Sequence, residues 1–93
     1  MFVNMGFVSP RPGKKKALVE TMRSFAGALE GMPGLIETFV LEENEGSSLV
    51  GVSIWRDRAS FESAMEEVRP PKPSEPPEGM RLAPPLVRQF ESV

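Results

Sequence analysis

Ninety-three residues, 40% of them hydrophobic and with a formal net charge of −2, describe one small, mildly acidic domain and exclude a general nucleic-acid binder, which carries a basic excess. With no Cys and no His, disulfides are excluded and any metal would need an all-oxygen site. A chain this short buries only about 60–65% of its unfolded surface, so self-association is the expected source of extra burial. No apolar run approaches the roughly 20 residues that cross a bilayer. The start Met1-Phe2-Val3 precedes its positive charges rather than following them, so neither a membrane span nor a signal peptide is expected, and a cytoplasmic location is the expectation.

The first strand is expected over 2–8, with Val3, Met5 and Phe7 on one face and Phe2, Asn4, Gly6 and Val8 on the other. Pro10, Pro12 and Gly13 end it and open a helix over about 13–30, whose apolar positions Leu18, Met22, Phe25 and Leu29 recur at helical spacing. Gly31-Met32-Pro33-Gly34 stops that helix, because Met32 precedes a proline and the glycines tolerate positive φ. A second strand over 35–42 and a third over 48–55 flank an acidic and Gly/Ser hairpin loop at 43–47. Asp57 is a good N-cap for a second helix with Phe61, Ala64, Met65 and Val68 inward. Between 69 and 85 seven residues are proline, which predicts an extended surface connection with no regular structure, and 86–93 reads as the last strand.

The order β-α-β-β-α-β predicts an α+β, ferredoxin-like single domain over 1–93: a four-stranded antiparallel sheet, strand order 4-1-3-2, with both helices on one face. Both sheet faces are apolar. Val50, Val52 and Ile54 line one side of strand three, and Leu49 and Trp55 the other. Two helices cover only one face, so the other is expected to pack against a second copy in a two-fold homodimer, a dimeric α/β barrel.

Three stretches carry a resemblance: Pro12-Gly13-Lys14 at the first helix, Met32-Pro33-Gly34-Leu35 before strand two, and Ser53-Ile54-Trp55-Arg56-Asp57-Arg58-Ala59-Ser60-Phe61 across strand three into helix two. With these the whole chain resembles the antibiotic-biosynthesis-monooxygenase-like domains of the dimeric α/β-barrel superfamily. The resemblance implies one of several activities: cofactor-free oxygenation of polyphenols to quinones, haem degradation, isomerase-like reactions, or none. Oxygenases of the family place a Trp at the position of Trp55 beside Asn, Tyr or His. This chain has no Tyr and no His, so a phenol or imidazole relay and a haem-ligating His are missing.

The expected site lies where strands one and three adjoin. Asn4 and Gly6 then stand beside Gly51, Ser53 and Trp55, and two mid-strand glycines leave room between sheet and helices. Asn4, a polar amide on an inward strand face, and Trp55, which the resemblance implicates, are the candidate catalytic residues; Gly6, Phe25, Gly51, Ser53, Phe61 and Met65 are the candidate substrate-binding residues. The bland alternative is that Phe25 or Met65 fills the space as core and that Trp55 is packing alone. No metal or cofactor is expected.

Other features read more plainly. Arg11, Lys14, Lys15 and Lys16 crowd a helix start, either to bind an anion or as a solvated face paired with acids. The Pro70–Pro73 and Pro73–Pro76 spacings fit a peptide ligand less well than a connection that wraps the dimer or covers the cavity mouth, with Met80, Arg81 and Leu82 contributing to a lid. Glu37, Glu62 and Glu66 read as solvent charges. Two functions follow: a cofactor-independent monooxygenase acting on a small aromatic or polyphenolic molecule, or a non-catalytic homodimer that binds a small apolar or aromatic molecule, with neither nucleic acid nor membrane as partner.

Overall fold

A computed structural model describes residues 1–73 and 75–93. The elements run β1 (Phe2–Val8), α1 (Lys15–Leu29), β2 (Leu35–Glu42), β3 (Leu49–Trp55), α2 (Arg58–Glu67), a short 3-10 turn (Pro77–Gly79) and β4 (Leu86–Glu91). The strands form one antiparallel sheet in the order β2-β3-β1-β4, with both helices on one side, as the ferredoxin-like reading requires.

The helix ends follow from their residues. Before α1, Gly13 adopts φ +79, which favours glycine, and Lys14 caps the helix without a side-chain hydrogen bond. Cations at this end oppose the helix dipole, and the structure places carboxylates on two of them: Glu75 accepts from Lys14 at 2.8 Å, and Glu42 pairs with Lys15. The charge run is thus partly a paired surface. At α2 the Asp57 carboxylate accepts from the Ser60 backbone N–H at 2.8 Å and from its hydroxyl at 2.7 Å. These bonds hold its pKa below the ordinary carboxylate value of 3.8.

The connection after α2 departs from expectation in two respects. Pro77 starts a 3-10 turn, because proline suits the first position of a helical turn even where it forbids longer regular structure. Met80 is 1% exposed and packs with Val8, Leu18 and Leu49, so it is core rather than lid. The Arg11 N–H donates to the Met80 carbonyl and the Leu82 N–H to that of Ser9, which fasten this stretch to the end of β1. Ser74, within the second PxxP spacing, lies outside the described residues.

The far face of the sheet carries no helix. Val3, Met5 and Phe7 of β1 lie there with Val50, Val52 and Ile54 of β3, and on the outer strands Phe39 is 44% and Phe90 50% exposed. No helix among the described residues is long and apolar enough to cross a membrane.

Candidate functional site

Strand pairing aligns side chains in rows across the helix-covered face. One row joins Leu35, Trp55, Phe2 and Glu91, the next Thr38, Ser53, Asn4 and Gln89, and the third Val40, Gly51, Gly6 and Val87; Leu49 and Val8 belong to the last. The outer rows feed two separate core clusters. Phe2 and Trp55 pack with Leu29, Ala64 and Val68 at one end of the sheet, and Val8 and Leu49 pack with Leu18 and Met80 at the other. The two middle rows join neither cluster. Their polar side chains carry little apolar surface to bury, their glycines carry none and Val87 is exposed, so the core thins at the centre of the sheet, where Met22 from the edge of the second cluster reaches Gly51.

Trp55 belongs to the core on the near side of that thin region. It is fully buried, its Nε1–H donates to the Ser53 Oγ at 2.9 Å, and its ring meets Phe61 edge-on with centroids 6.0 Å apart. Phe61 also lies 5.1 Å from the Phe2 ring, and with Met65 it flanks this cluster. Ser53 is therefore the buried hydrogen-bond partner of the indole. Arg58 stands over the Phe2 ring, 5.2 Å from its centroid, and donates to Glu91 at 2.9 Å, which ties the start of α2 to β4.

The other half of that thin region is open. A Cβ on Gly6 would meet nothing within 4 Å, whereas one on Gly51 would touch the Met22 Cε at 3.4 Å. Met22, rather than Phe25 or Met65, is what covers a glycine here; Phe25 remains 39% exposed. The helices pack chiefly on β2 and β3, leaving every residue of β4 exposed. Next to the uncovered Gly6, the Gln89 Nε2 donates to the Asn4 Oδ1 at 3.0 Å. The structure thus brings Asn4, Gly6, Gly51 and Ser53 together in adjoining rows, puts Trp55, Phe61 and Met65 on the cluster beside them, and leaves Gly6 next to the exposed strand β4 with no atom within 4 Å of a Cβ position.

Gln89 is the member that sequence reasoning missed. Its parity along β4 assigns it to the inner face once the register with Asn4 is known, and that register is invisible in the sequence of a lone six-residue strand. Two hollows lie elsewhere. One of about 340 Å³ is bordered by Met32, Pro33, Asp57, Ser60 and Ser63, and another of about 160 Å³ by Thr21, Ser24, Lys72, Pro73 and Met80; neither includes Asn4, Gly6 or Gly51. Among the described residues no group of His, Cys, Asp and Glu is placed to hold a metal ion.

The family model "Antibiotic biosynthesis monooxygenase" matches residues 1–67, from β1 through α2. The chain belongs to the antibiotic biosynthesis monooxygenase family. Solved structures agree on the fold of this family member. PA3566 from Pseudomonas aeruginosa is similar with a TM-score of 0.77 at 14% identity, covering 99% of this chain and 93% of that one. A conserved protein from Methanosarcina mazei Go1 is similar with a TM-score of 0.79 at 14% identity, covering 99% and 92%. A structure named antibiotic biosynthesis monooxygenase is similar with a TM-score of 0.74 at 11% identity, covering 100% and 99%. A search of the curated proteins found no match.

Proposed function

We propose that this member of the antibiotic biosynthesis monooxygenase family works as a homodimer that takes a small aromatic molecule into the space beside Asn4 and Gly6 and oxygenates it. The observation that carries this reading is the thinned core: a glycine row in which a Cβ on Gly6 would meet nothing within 4 Å, bordered by amides on one side. A chain of 93 residues gains most of its stability from its core, so a thin core at the centre of the sheet needs a compensating role. The apolar far face supplies the dimer, because packing it against a second copy buries aromatic and β-branched side chains that water otherwise covers.

The oxygenation fits a substrate that supplies its own electrons. An anthrone-type CH2 beside a carbonyl loses a proton to give a delocalised oxyanion, which transfers electrons to O2; the CH2 becomes C=O, and the second oxygen atom leaves as water with the two hydrogens. In this scheme the Asn4 Nδ2 donates a hydrogen bond to the substrate oxyanion as it forms, which lowers the barrier electrostatically. Trp55 acts as a rigid wall that holds Ser53 and Phe61 in place. No side chain of this site is an obvious proton acceptor, since the chain has no His, Cys or Tyr; that observation favours a second reading, binding without turnover.

Oxygen uptake with anthrone separates the two. Acceleration over the uncatalysed rate, cut on the order of 10²-fold by Asn4→Ala, supports the oxygenase. Binding of anthrone with no acceleration supports the non-catalytic domain, and absence of both overturns the small-molecule reading altogether.

A further inference from the structure

We infer that Glu37 of each copy pairs with the partner's Arg88 across the dimer interface, and that these two pairs set how the sheets stack, with β2 of one copy over β4 of the other. This rests on the proposed reading of the uncovered sheet face as the dimer interface. Strand register lays that face out in three four-residue rows, and it carries two charges, one on each edge strand. Glu37 stands at the β2 end of the row that runs through Ile54 and Val3 to Phe90. Arg88 stands at the β4 end of the next row, which runs from Phe39 through Val52 and Met5. Every other member of the three rows is apolar.

Within one copy the two charges cannot meet. Three inter-strand gaps of about 4.8 Å hold their strands about 14 Å apart, and they differ by one row as well. Among the described residues neither takes part in an ion pair, and Glu37 accepts from the Thr38 N–H beside it. An apolar covering layer would leave both charges short of water and without partners at its margin, whereas a second copy brings the complement of each to the rim of an apolar interface.

Symmetry then separates the two ways of stacking aligned sheets, since the two-fold axis lies in the plane between them, either across the strands or along them. An axis across the strands lays β4 on β4. It brings Arg88 towards the partner's Arg88 and sets Glu37 over the apolar row at the other end, so one charge is repelled and the other is unpaired. An axis along the strands keeps every row at its own height and lays β2 on the partner's β4. Glu37 then lies one row, about 6.8 Å, from the partner's Arg88 across sheets about 10 Å apart, a span that the two side chains bridge.

The test reads the dimer dissociation constant by analytical ultracentrifugation. Glu37→Arg and Arg88→Glu each set like charges together twice per dimer and raise the constant on the order of tenfold, while the double reversal Glu37→Arg/Arg88→Glu returns it to near the wild-type value. Both residues are exposed, so circular dichroism of the variants stays that of the parent fold. Because the chain has no Cys, cysteine placement checks the stacking independently. A short bismaleimide links two copies of Glu37→Cys/Arg88→Cys covalently and links neither single-cysteine variant to itself. A wild-type dimer that is indifferent to both reversals, that the double reversal does not rescue, or that links through either single-cysteine variant overturns the stacking while the homodimer stands. A wild-type chain that is monomeric throughout overturns the homodimer and this inference with it.

Discussion

At the scale of single residues, the two side chains that most readily attract a functional reading have well-defined structural work. Trp55 is buried with its one donor used, and Asp57 caps α2 through Ser60. Because the Ser60 bonds lower the Asp57 pKa, the charge of Asp57 stabilises the fold fully above the ordinary value of 3.8, and that contribution is lost as pH falls through the lower folded value. Thermal melts of the wild-type chain and Asp57→Asn should therefore differ at pH 7 and converge as the pH drops below the carboxylate range; a melting difference that is the same at both ends contradicts this role. The residues on which the proposed site rests are less conspicuous: a glycine whose Cβ position has no atom within 4 Å, and an amide whose partner lies 85 positions away in sequence.

At the scale of elements, the connection from α2 to β4 is where sequence patterning and structure part most clearly. Its prolines suggest an extended surface run, yet Met80 drops into the second core cluster beside Val8, Leu18 and Leu49. Met80→Ala should cost about 2–5 kcal/mol in a denaturation experiment, the range for emptying a buried methionine site; a loss below about 0.5 kcal/mol, typical of surface changes, places it outside the core. The strands and both helices were legible because period-2 and helical patterning reflect one buried face each, and the grouping of Asn4, Gly6, Gly51 and Ser53 followed from parity together with the adjacency of strands one and three in the ferredoxin-like order. Met22 over Gly51 and Gln89 on Asn4 were not legible, since the first depends on how α1 sits above the sheet and the second on the β1–β4 register. Met80 was hidden for a related reason: a single apolar residue in a proline-rich stretch has no period to betray its burial.

At the scale of the whole molecule, one sheet face is covered by helices over a core that thins in the middle, and the other is apolar and uncovered. Val52 stands on the uncovered face, on β3 between Met5 and Phe39 of the neighbouring strands. Val52→Lys should convert a dimer into a monomer in light scattering, while circular dichroism stays that of the parent fold; a wild-type chain that is already monomeric at micromolar concentration contradicts the dimer. The thin core on the covered face carries the functional claim, and an amide-resolved NMR titration with the three-ring ketone 9-fluorenone examines it directly. The backbone signals that move should cluster at Asn4, Gly6, Val87 and Gln89, with Gly51 beside them. Shifts confined to Ser60 and Ser63, or to Thr21 and Ser24, or no shifts at all, would contradict the placement of the site between the two halves of the core.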